Sequence, residues 1–181
     1  NGETYKLSKR SGKAVTLSTL LDEVPIDAAR FFFNLREPNS HLEFDIDLAL
    51  SESSQNPVYY VQYAHARICS ILKKLANEGI TSRKPSAEEL KLLTSDEETD
   101  LIAHLGALTG VIVNAANTYD PAKITHYATD LATKFHRFYN AQRVMVDDES
   151  LMQARIFLCQ CVKRTMKNVL SMLKIEAPES M

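Results

Sequence analysis

Apolar positions between residues 56 and 173 recur every three to four residues, the period of a helix that buries one face, and four such stretches follow one another. The first opens at Asn56-Pro57, an N-cap followed by a ring that fits the first helical position. It runs to about Asn77 before Gly79 stops it, with Val61, Ala64, Ile68, Ile71, Leu72 and Leu75 on one stripe. A polar link from Thr81 to Pro85 leads on, and Ser95-Asp96-Glu97-Glu98 then forms a capping box ahead of Leu101, Leu105, Leu108 and Ile112. Asp120-Pro121 starts a third helix with Ile124, Tyr127, Leu131, Phe135 and Phe138 on one side. Asp147-Asp148 caps a fourth that carries Leu151, Leu158, Val162, Val169 and Leu173. Each helix needs partners for its stripe, so the pattern predicts an all-α antiparallel bundle.

Upstream, Leu17 to Glu23 and Ile26 to Arg36 read as two short helices divided by Pro25. Phe31, Phe32 and Phe33 cannot share one helical face, which predicts burial between two bodies of protein. Leu42 to Asp47 alternates like a strand, but a lone strand has no partner, so it is expected to be an extended connector. Residues 1–14 read as a polar, basic loop.

Composition narrows the picture. The 181 residues are 45% hydrophobic and 24% charged, with five Gly and six Pro, which fits a helix-rich globular chain and argues against disorder. A net charge of −2 supplies no global attraction for phosphates, so contact with nucleic acid would rest on local patches and stacking. Cys69, Cys159 and Cys161 are odd in number and lie in helical patterns, favouring a reduced, cytosolic setting. No apolar run reaches the length of a membrane span and no signal peptide is evident, so no membrane partner is expected. Asn1-Gly2-Glu3-Thr4 reads as the start of a fragment of a longer protein.

Two groups of residues suggest chemistry. Tyr59, Tyr63, Arg67 and Lys74 fall roughly opposite the apolar stripe of their helix, a face that suits an unpaired nucleic-acid loop; a second layer of protein over the same tyrosines explains them equally. Lys6, Lys9, Arg10 and Lys13 surround Ser8 and Gly12, a composition that binds phosphate or else forms a solvated tail. Tyr139, Asn140 and Arg143 at the end of the third helix form a further candidate surface, for which core packing and the helix dipole are the alternative. Glu97, Glu98 and Asp100 read as a solvated first turn. His41, His65, His104, His126 and His136 do not form a ligand set, and no metal site is expected; His65 fits a buried, hydrogen-bonded imidazole.

The order Lys6-Leu7-Ser8-Lys9-Arg10 resembles the Lys-Met-Ser-Lys-Ser loop of class I aminoacyl-tRNA synthetases. With Ile26-Asp27-Ala28-Ala29-Arg30-Phe31, Phe44-Asp45-Ile46-Asp47-Leu48-Ala49, the Asn56 to Arg67 helix, Phe135 to Asn140 and the closing Ala177-Pro178-Glu179-Ser180-Met181, the chain resembles the C-terminal part of a bacterial-type arginyl-tRNA synthetase over essentially its whole length. The resemblance implies three parts: 1–14 as the end of the ATP loop, 15–54 as a connector, and 55–181 as the DALR anticodon-binding bundle. Lys9 would stabilise charge on the phosphates of ATP, supported by Lys6 and Ser8. Asn56, Tyr59, Tyr60, Gln62, Tyr63, Arg67, Tyr139, Asn140, Arg143 and Met181 would face the anticodon loop, the tyrosines stacking on bases and the polar groups bonding to them. The literal Asp-Ala-Leu-Arg string is replaced by Leu151-Met152-Gln153-Ala154-Arg155, and Ser180 stands where the family often has arginine. ATP with Mg would serve the full-length enzyme, with arginine tRNA and the catalytic domain as partners and no DNA. The fragment itself, lacking a His-Ile-Gly-His-like motif, is expected to hold no cofactor and to make no arginyl-adenylate. A protein-interaction module, or the anticodon domain of another class I synthetase, stays open beside this reading.

Overall fold

The computed structural model describes residues 16–181, and the Lys6, Ser8 and Lys9 expectation lies outside them. Among the described residues the regular elements are helices: α1 (Leu17–Glu23), α2 (Ile26–Asn34), α3 (Ile46–Leu50), α4 (Pro57–Asn77), α5 (Ala87–Leu90), α6 (Asp96–Thr118), α7 (Ala122–Ala141) and α8 (Glu149–Met172). The four long ones are those the periodicity predicts. Their starts are chemically fixed. Asn56 Oδ1 accepts from Val58 N at 3.2 Å, Ser95 and Glu98 complete the capping box, and Asp148 Oδ1 accepts from Ser150 N and Leu151 N. Three ends turn through left-handed backbone, at Gly79 (φ 79°) after α4, Tyr119 (φ 51°) after α6 and Lys174 (φ 57°) after α8.

α7 sits at the centre and touches α2, α4, α6 and α8. Its Leu131, Phe135 and Phe138 are fully buried, together with Val61, Ala64 and Ile68 of α4 and Val162, Met166 and Val169 of α8. Burial of each of these side chains larger than alanine contributes about 1.5–3 kcal/mol. α6 lies along the outer side of α7, leaving Ile102 and Val113 exposed. Among the described residues α6 is the one helix long and apolar enough, by length and composition, to cross a membrane. The expectation that no stretch reaches that length is corrected to this extent.

Three expectations change. Residues 46–50 are the helix α3, because Asp45 accepts from Leu48 N at 2.9 Å and closes a local turn where a strand would have left its backbone unpaired. Phe31 and Phe32 are buried as expected, but Phe33 is 45% exposed and only leans on Phe44, ring centres 5.5 Å apart. Glu98 is not solvated: it is 1% exposed, and Arg155 Nε donates to its Oε1 at 2.7 Å.

Candidate nucleic-acid interface

The Asn56 cap sets the phase of α4, and with Val61, Ala64 and Ile68 turned inward, Tyr59, Tyr63 and Arg67 recur at every fourth residue on a neighbouring side. The Tyr59 and Tyr63 rings lie 6.2 Å apart and nearly parallel, at 5°. α7 extends the row. His136 meets Tyr63 at 6.0 Å and Tyr60 at 4.9 Å, and the Arg67 guanidinium carbon stands 4.9 Å from the centre of the Tyr63 ring and 5.0 Å from that of Tyr139. Arg67 Nη2 also donates to the Tyr63 hydroxyl at 2.9 Å. Tyr59, Tyr63 and Arg67 are half-buried and Tyr139 is exposed. The rings are therefore backed by α7 yet not sealed beneath it, an arrangement between the two the sequence left open.

His136 belongs to this surface although the sequence reading gave it no part there. Burial first, and the charge of Arg67 second, push its pKa down to about 4, so the ring is neutral at pH 7. The missed signal was its spacing: His136 and Tyr139 are three residues apart on α7 and share a face. Tyr60 packs against the core while touching His136.

Two expected contacts are corrected. Asn56 is 3% exposed; its Nδ2 donates to Ala49 O and Ser51 O at 3.2 and 2.9 Å while Oδ1 caps α4, leaving nothing to offer a base. Gln62 Nε2 donates to Glu176 O at 3.0 Å and to Asp27 Oδ2 at 3.3 Å, so it binds the chain to itself. Asn140, Arg143 and Met181 are exposed. Asn140 lines a groove of about 470 Å³ with Asp96, Glu97, Asp100, Lys134, Arg137 and Ala141. The Glu97 carboxyl there is held below its ordinary range by its own backbone N–H and by Gln142.

Arg155 gains a structural task. Besides the pair with Glu98, its Nη1 donates to Arg143 O at 2.7 Å and its Nη2 to Gln142 Oε1 at 2.9 Å, so one guanidinium ties the start of α6 to the turn after α7. Gln153 works similarly on the α4–α5 link, accepting from Arg83 N and donating to Thr81 O, both at 3.0 Å. Among the described residues no cluster of His, Cys, Asp or Glu is placed to hold a metal ion.

Similar proteins bear on this surface. An arginine–tRNA ligase of Desulfitobacterium hafniense is 52% identical over 182 residues, covering all of this chain and 32% of that protein. The corresponding ligase of Ruminiclostridium cellulolyticum is 48% identical with the same coverage. The chain thus spans about a third of the length of these curated relatives. Among solved structures, the Thermus thermophilus arginyl-tRNA synthetase superposes with a TM-score of 0.74 at 29% identity, over 96% of this chain and 29% of that one. A Campylobacter jejuni structure assigned as an arginyl-tRNA synthetase reaches 0.82 at 31% identity, over 100% of this chain and 38% of that one. The model of the DALR anticodon binding domain matches residues 61–181, from the first turns of α4 to the last residue and more than half of the sequence. With the helical fold and the ring row already on α4 and α7, this shows that the chain belongs to the DALR anticodon-binding domain family.

Proposed function

We propose that the α4–α7 face binds the anticodon loop of an arginine tRNA, within an enzyme that attaches arginine to that tRNA using ATP and Mg. The observation that carries this reading is the continuous row of Tyr59, Tyr63, Arg67 and Tyr139, with flat faces and one cation, on a chain similar to arginine–tRNA ligases. Unpaired bases present the matching flat faces. Asn140, Arg143 and Met181 extend the contact, and residues 15–54 join it to a catalytic body. The segment holding Lys6, Ser8 and Lys9, outside the described residues, carries the ATP contact, and a reduced cytosolic setting fits three free cysteines.

The test is titration of this chain with stem-loops carrying arginine and non-arginine anticodons. Tyr63→Ala is expected to weaken the arginine stem-loop by about 1–3 kcal/mol, the worth of one base on one aromatic ring. Preference for a non-arginine anticodon would favour another class I synthetase, and indifference to every stem-loop a protein partner.

A further inference from the structure

Residues 174–179 are fastened to three helices. After α8, Lys174 turns the chain through left-handed backbone (φ 57°), and Ile175 is buried to 4% exposure. Arg30 Nη1 donates to Lys174 O at 2.6 Å, Glu176 N donates to Asp27 Oδ2 at 3.0 Å, and Gln62 Nε2 donates to Glu176 O at 3.0 Å. His65, itself 1% exposed, meets Pro178 O through Nδ1 at 2.8 Å, which requires the hydrogen on that nitrogen. On the far side Lys163 Nζ reaches Glu179 Oε1 at 3.4 Å. Contacts advance from Gln62 to His65 as the segment advances from Glu176 to Pro178, so it runs parallel to α4. α2, α4 and α8 thus hold one strap, and Met181 emerges at its end, 54% exposed.

A free C-terminus would lose the conformational freedom of several residues on meeting a ligand. This one has most of that cost met in the fold. The strap runs along one side of α4 and the ring row along another, with Ala66 and the exposed Ser70 between them at about 100° per residue.

Building on the anticodon reading above, we propose that Gln62 and His65 are positioning residues for RNA: they fasten residues 174–178 so that the Met181 side chain forms a second wall of the binding face beside Tyr63 and Arg67. The thioether supplies a polarisable apolar contact for a base edge or face. Asp27 carries the same fastening into α2, so strap, α2 and α4 move together.

The experiment uses this chain with ¹³C-labelled Met methyls, titrated with an arginine anticodon stem-loop. In the parent the Met181 methyl shifts on saturation. Gln62→Leu and His65→Leu are expected to sharpen that methyl in the free chain, abolish most of its shift, and weaken binding about 3- to 10-fold, as one or two lost hydrogen bonds would. His65→Asn, whose amide places a donor near the position of Nδ1, restores both. A purely structural role would lower the melting temperature without moving the methyl. If the Leu variants bind and shift as the parent does while Tyr63→Ala binds weakly, the strap proposal is overturned and the ring row stands. If Tyr63→Ala binds like the parent, the ring row fails; if the parent does not bind, both fail.

Discussion

Arg67 is clasped before any ligand arrives, with its guanidinium between two phenol rings and one N–H on the Tyr63 hydroxyl. A long cationic side chain held this way has already lost rotamer freedom, so less is lost on binding. The same charge acts on His136, whose pKa stands at about 4 against an ordinary 6.5. As pH falls from 7, the unfolded chain takes up this proton first and the folded chain does not. Stability present above 6.5 is therefore lost progressively toward 4. His65, lowered by burial and by Lys163 and Lys167, works in the same direction. The melting temperature is expected to drop between pH 7 and 5, and His136→Phe, which keeps a ring but no proton, to flatten part of that slope; an unchanged slope would remove His136 as a cause. Much of this surface was legible at residue level, since Tyr59, Tyr63 and Arg67 follow from spacing alone. Asn56 shows where such reading misleads: the carboxamide that caps α4 is the same one assigned to a base, and it has no capacity left for both.

Within elements, capping chemistry was the most readable signal, because Ser95, Asp148 and Asn56 act on backbone N–H groups two or three residues away. Asp45 obeys the same rule, yet six alternating residues hid it behind a strand-like pattern. What a single chain does not reveal is the register between helices. Glu98 looked like an ordinary dipole-matching carboxylate, but one oxygen caps Ser95 N at 3.0 Å and the other meets Arg155 at 2.7 Å across 57 residues. Removing one member of a buried pair strands the other, at a cost of about 3–5 kcal/mol. Glu98→Ala is expected to lose that much stability, read as a lower urea midpoint at constant m-value. Adding Arg155→Leu should recover part of it, because the stranded charge is then gone; a double variant worse than the sum of the singles would contradict the pairing. His136 escaped notice for the same reason as the Glu98 pair, since its place depends on how α7 lies against α4.

For the molecule as a whole, 21 Lys and Arg against 23 Asp and Glu leave no net pull on a polyanion. α6 carries no charged residue from Leu101 to Thr118, so that stretch contributes none either. Affinity for an RNA loop then has to come from stacking on the ring row and from a few cations at its border, Arg67 and Arg143 foremost. Each phosphate neutralised on a single strand contributes a slope of about −0.7 to log K against log salt. Two such contacts give about −1.4, a shallow dependence compared with proteins that bind through a basic groove. Arg143→Ala is expected to lessen that slope by about 0.7 while sparing discrimination between anticodons, because a phosphate contact carries no base identity. Tyr63→Ala should do the reverse, lowering affinity at every salt concentration by a similar factor. A slope steeper than about −4 for the parent chain would mean that phosphates, met by the basic residues between Lys6 and Lys13, dominate instead. In that case variants of the ring row would change affinity little, and the two measurements together locate the contact that holds the RNA.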